Sequence, residues 1–213
     1  MRMLLLGLAL AALLAPGESM AQSGASITLY SDFQQPPPAS VMGALQDEVH
    51  AIMAPVGLRF EWRSLHAPRE NEFIVDLAVI TFRGRCDVAD LASVSRRAGA
   101  LGWTHVSDGV ILPFAEVDCD GIRGFLRAEL IHMKAEERDA AYGRAIGRVL
   151  AHELYHIFAN TQRHGTSGVA KSAYSVRELL SPVFTFEGPA SSAIRSGRGT
   201  AVLQAAAVGL SGK

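Results

Sequence analysis

Ala151-His152-Glu153-Leu154-Tyr155-His156 contains the spacing H-E-x-x-H. On a helix, four residues turn through about 400°, so His152 and His156 project from nearly the same face, one turn apart. Two imidazoles so placed can each present a nitrogen to one metal ion at about 2.0–2.1 Å, the usual zinc distance. Glu153 is rotated about 100° from His152, which makes it a poor third ligand but places it to accept a proton from a water that zinc activates. The chain has 7 His and 12 Glu in 213 residues. A shuffled chain of that composition would show the motif only about 0.01 times, so chance is a weak explanation. The flanking residues Val149, Leu150, Leu154, Ile157 and Phe158 are apolar. An interior helix carrying two histidines and a glutamate needs partners for them, because unpaired polar groups are costly to bury.

A catalytic zinc takes three protein ligands and keeps one position for water. His164 is the favoured third ligand. Asn160 can adopt the left-handed conformation that ends a helix, and Gly165 frees the backbone directly after His164. Glu178, on an expected short helix over Tyr174 to Leu180, is the alternative. His66, His105 and His132 are isolated in sequence and are expected to be ordinary surface or core side chains. Tyr174 is a lesser candidate for stabilising an oxyanion. Tyr155, lying between the ligands, is expected to pack in the fold.

These residues resemble the zincin metallopeptidases, and a histidine soon after a helix-ending residue is similar to the metzincin branch, whose longer pattern is H-E-x-x-H-x-x-G-x-x-H. Three features depart from that pattern. Asn160 stands one residue after the glycine position. His164 follows His156 by eight residues, not six. No methionine follows Met133, and Leu179 or Leu180 is the suggested occupant of the hydrophobic place beneath the metal. The stretch His152 to Leu180 also resembles uncharacterised secreted bacterial proteins with an H-E-x-Y-H core. The zincin resemblance implies a twisted mixed sheet, an active-site helix below it, and an extended substrate beside an edge strand, for which Val110 to Val117 is the candidate.

The elements that must position the motif follow from residue patterning. Ser26 to Phe33 is rich in β-branched and aromatic residues and predicts a strand. Ser40 to Ala54 places Val41, Leu45, Val49, Ile52 and Met53 on one helical side, and Pro55 and Gly57 stop it. Leu58 to Trp62 alternates as a half-buried strand. Phe73 to Phe82 is nearly continuous in apolar residues and predicts a central strand. Arg83 to Ala100 is an expected surface excursion, Leu101 to Val106 and Val110 to Val117 two short strands, and Asp118 to Gly124 a turn. Glu136 to Ala159 is the long helix with the motif. The expected class is α+β: a small twisted mixed sheet with two main helices, zincin-like.

Met1-Arg2-Met3, the apolar run Leu4 to Leu14 and Ser19-Met20-Ala21 make residues 1–21 an expected signal peptide, cleaved after Ala21. Residues 22–190 would then form the catalytic domain and residues 191–213 an Ala/Gly/Ser-rich tail, with a short helix near Val202 to Val208. Export to a secreted or periplasmic location makes a disulfide between Cys86 and Cys119 the expectation. Lys and Arg number 20 against 21 Asp and Glu, a net charge of −1. That balance gives no basic footprint for nucleic acid. No apolar run is long enough for a stable membrane span. The function expected is a secreted zinc-dependent metallohydrolase, a peptidase with Glu153 as general base and a peptide or protein as substrate. A non-catalytic zinc-site protein and an amidase acting on cell-wall material are the alternatives. The sequence leaves the oligomeric state open.

Overall fold

A computed structural model describes residues 26–67, 74, 76–95 and 98–197. Five strands form one sheet: β1 (Ile27–Phe33), β2 (Phe60–Ser64), β3 (Leu77–Arg83), β4 (Gly102–Ser107) and β5 (Val110–Asp118). Their spatial order is β2-β1-β3-β5-β4, with β4 antiparallel to β5 and every other pairing parallel. Parallel neighbours need a crossover. Helix α1 (Ala39–Met53) supplies the one from β1 to β2. The two-residue turn Asp108-Gly109, with both φ angles positive, closes the β4–β5 hairpin in the manner that suits the strands' right-handed twist.

The sheet buries Ile27 and Leu29 of β1, Ala78, Ile80 and Phe82 of β3, and Ala115 and Val117 of β5. These residues share one core with Val41, Leu45 and Val49 of α1 and with the long helix α3 (Ala135–Phe158). Alternate strand positions facing one way is the period-2 pattern of a sheet covered by helices. The α+β class with a mixed sheet is as expected from sequence.

Several expectations need correction. Asp118 to Gly124 is no turn. Asp118 is the N-cap of helix α2 (Cys119–Leu130), its carboxylate accepting from the Gly121 N–H at 2.8 Å, and the helix buries Ile122, Leu126 and Leu130 along one side. Val110–Asp118 is not the free edge, since β5 lies between β3 and β4. β4 is the edge on that side. The strand expected at Leu58 to Trp62 runs instead from Phe60 to Ser64, with Leu58 buried ahead of it. β3 starts at Leu77, later than expected, and Phe73 and Val75 lie outside the described residues. The expected tail begins inside a helical stretch, residues 188–197, whose Ala190 and Ile194 are buried in the core. The expected signal peptide and the helix near Val202 lie outside the described residues.

Cys86 and Cys119 form a disulfide, as expected. It ties the excursion after β3 to the first residue of α2 and so anchors the segment leading into β4. No helix among the described residues is long and apolar enough to cross a membrane.

Candidate metal centre

α3 carries His152, Glu153 and His156 on its last turns, all less than a tenth exposed. The helix ends as the sequence suggested: Asn160 takes a left-handed φ of 46° and the chain reverses. That reversal returns His164 to the two helix histidines. One ligand atom from each of His152, His156 and His164 lies within 4.8 Å of the others, so the three residues could hold a metal ion. His164 is exposed and its ring stacks on that of His152 at 5.2 Å.

The hydrogen bonds of the two buried histidines fix their tautomers. His152 Nδ1–H donates to the Val169 carbonyl at 2.8 Å, and His156 Nδ1–H donates to the Thr161 carbonyl at 2.6 Å. A carbonyl only accepts, so the proton on each ring sits on Nδ1 and each Nε2 carries a lone pair. The two Nε2 atoms are 3.0 Å apart. Two lone pairs aimed at each other across that distance repel, and a cation shared between them turns the contact favourable. A carbonyl behind each ring is also the support that metal-ligating histidines ordinarily have. Burial pushes the His152 imidazole down to about 4 and lowers that of His156. Both are therefore neutral near pH 7 and able to ligate.

Glu178, the alternative third ligand, is not in this cluster. It closes the capping box of the short helix α4 (Val176–Leu179), accepting from the Ser175 N–H at 2.8 Å, and pairs closely with Lys171. Tyr174, the lesser candidate for an oxyanion donor, lines the larger cavity beside Glu153, with its hydroxyl engaged behind His152. Its hydroxyl donates closely to the Val169 carbonyl and lies 2.9 Å from His152 Nδ1, on the side of the ring away from Nε2. It thus steadies His152 from behind, and the Tyr174 ring meets that histidine edge-on with the ring centres 5.8 Å apart. Burial holds the Tyr174 phenol well above its ordinary pKa, which keeps it a donor. Tyr155 is buried, and its hydroxyl donates to the Arg163 carbonyl at 3.3 Å, next to His164. His66 and His105 lie elsewhere, beside Asp32 and Glu116 respectively.

Sequence reasoning missed Thr104 and Gly102 of β4. The Thr104 hydroxyl lies 2.8 Å from Glu153 Oε2. A Cβ at position 102 would meet Glu153 Oε1 and Val149 Cγ1 at 2.9 Å and the Glu116 carbonyl at 3.1 Å, so glycine lets β4 run close over the carboxylate. The signal was the period of two along β4, which sends positions 102 and 104 to one side. Burial pushes the Glu153 carboxyl up to about 7, and the Thr104 hydrogen bond partly offsets this. A carboxyl poised there can exchange a proton near neutral pH.

Two cavities open beside Glu153. The larger, about 560 Å³, is lined by Leu101, Phe125, Val149 and Tyr174 among others. The smaller, about 360 Å³, is lined by Trp103, Ile111, Thr161 and His164 among others. His152, Glu153 and Gly102 line both, and among the described residues no Lys, Arg or Asp lines either cavity. No protein-family model, curated protein or solved structure matches the chain.

Proposed function

We propose that the chain is a secreted zinc-dependent peptidase of the zincin type, nearest the metzincin branch in the order of its ligands. His152, His156 and His164 would hold the zinc. The observation that carries this reading is the pair of buried Nε2 lone pairs 3.0 Å apart, with His164 beside them and Glu153 next in sequence. A zinc ion held by these three imidazoles would supply a Lewis acid to polarise a carbonyl and acidify a water. Glu153, raised by burial, would take a proton from the attacking water and return it to the leaving amine. Water and the amide thereby become an acid and an amine.

Among the described residues no strand pairs with the edge of β4 that faces away from β5, so the main chain of an extended peptide could pair there while its side chains enter the flanking cavities. This supports a polypeptide substrate over a cell-wall amide. A purely structural zinc site would close with a fourth protein ligand. Among the described residues three are gathered, and cavities open on both sides of Glu153. The disulfide agrees with export.

The test is metal analysis joined to cleavage of a mixed peptide library read by mass spectrometry. The mature chain should hold about one zinc, lost in His156→Ala. Glu153→Gln should keep the zinc and cut nothing. A zinc-loaded wild-type chain that leaves the library intact, or a Glu153→Gln variant that cuts equally well, overturns the reading.

A further inference from the structure

We propose that Thr104 is the positioning residue of Glu153: its hydroxyl holds Oε2, leaving Oε1 over the bare Cα of Gly102 as the atom that takes the proton. The inference rests on the peptidase reading for the identity of the reaction, but the geometry stands without it. A glutamate's terminal torsion is broad and roughly two-fold, so a carboxylate at the end of a helical side chain does not by itself select one oxygen. Here three contacts select it. Thr104 Oγ1 is 2.8 Å from Oε2. The same hydroxyl oxygen is 3.2 Å from the Glu153 carbonyl, which fixes its position relative to the helix backbone. The missing side chain at Gly102 leaves the space that Oε1 fills. Among the described residues nothing hydrogen-bonds Oε1, and Gly102 and Glu153 both line the two cavities.

Thr104 comes from the strand and Glu153 from the helix, 49 residues apart in sequence. The bond therefore couples the orientation of the base to the strand on which the substrate would lie. A substrate that pairs with β4 would meet a carboxylate whose angle is set by the same strand. The residue acts through Glu153 and does not itself touch the reacting atoms.

Thr104→Val keeps the shape and removes the donor, and Thr104→Ser keeps the donor. In the zinc-loaded protein, kcat on a cleaved library peptide should fall roughly ten- to hundredfold in Thr104→Val, since small misplacements at a reacting centre carry that cost. KM, zinc content and thermal midpoint should stay near wild type, and Thr104→Ser should recover kcat to within about threefold. High-resolution structures supply a readout independent of activity: one carboxylate orientation in wild type and Thr104→Ser, a rotated or divided one in Thr104→Val. An unchanged kcat and a single orientation in Thr104→Val overturn the inference. An equal loss of kcat in the valine and serine variants does so too, because it marks a packing role. If the wild type cuts nothing, the peptidase reading falls and the carboxylate orientations alone decide the positioning role.

Discussion

His164 is the exposed member of the triad, and its neighbours explain how an exposed side chain stays beside two buried ones. The loop is pinned on both sides: the Tyr155 hydroxyl holds the Arg163 carbonyl, and the Gly165 N–H donates to the Ala170 carbonyl at 2.7 Å. Little ordering is left for a metal to impose. His164→Ala should therefore lower zinc affinity by at least about 100-fold, above the usual effect of losing a supporting partner. Glu178→Ala should leave affinity within about tenfold, the low end for such a partner. Competition with a chromogenic chelator at one pH measures both, and the reverse order would move the site to a two-histidine, one-glutamate set. Glu178 has a different role that pH can reveal. The Lys171 ammonium, followed by the Ser175 donors, holds its carboxyl down to about 2. A depressed acid stabilises the fold above its unfolded pKa, near 4.5, and loses that contribution as pH falls toward 2. The Glu178→Gln variant should lack this part of the acid-side decline, seen as a smaller difference from wild type at pH 3 than at pH 6 in thermal unfolding. At this scale H-E-x-x-H was legible because one helix supplies it, and His164 because one short loop returns it. Thr104 was not, because it reaches Glu153 only through the tertiary approach of a strand to a helix.

The elements are joined at one buried cation. Arg148, on α3 one turn before His152, is 1% exposed and its Nε donates to Glu48 Oε1 of α1 at 2.6 Å. Its Nη1 donates to the Glu178 carbonyl at 3.0 Å, and its guanidinium lies 4.9 Å from the Phe184 ring centre. One side chain thus holds α1, α3 and the segment after the metal loop together, including the stretch that carries Tyr174. Breaking a buried pair by removing one partner leaves the other charge uncompensated, at a cost of about 3–5 kcal/mol. Arg148→Ala should lose stability on that scale in urea unfolding. The double variant Arg148→Met with Glu48→Leu should regain much of it, since apolar replacements of both partners remove the stranded charge. If the double variant is no more stable than Arg148→Ala, the loss comes from the backbone contacts at Glu178 instead. Legibility at this scale followed periodicity. α1 and α3 carry strong apolar patterns and were found nearly to the residue. α2 was misread because Gly121 and Gly124 suggest a turn, although Ile122, Leu126 and Leu130 at four-residue spacing carried the helical signal. The choice of β4 over β5 as edge depends on non-local pairing, which neither strand's own residues reveal.

Across the whole molecule, the cleft is made of two parts with separate supports. The metal residues sit on α3 and the loop it feeds. The larger cavity's rim, Ala98 to Leu101, belongs to the excursion that the Cys86–Cys119 disulfide anchors to α2. Phe125 of α2 lines the same cavity. The bridge closes a separation of 33 residues, for which chain entropy gives a stabilisation of about 4 kcal/mol. Replacing both cysteines by serine should lower stability by about 2–5 kcal/mol. Below the new unfolding midpoint, zinc stoichiometry should persist, because among the described residues no contact of His152, His156 or His164 passes through the bridge. Substrate binding should suffer more than chemistry. A rim released at one end must be ordered again when a peptide fills the cavity, so KM for a cleaved peptide should rise while kcat changes little. Parallel measurement of bound zinc, unfolding midpoint and the two kinetic constants separates the supports. If zinc is lost along with the bridge at a temperature where the chain is still folded, the two halves of the cleft are a single unit. If KM stays fixed, the rim is held by its packing against α2 and β4, and the disulfide contributes to stability alone.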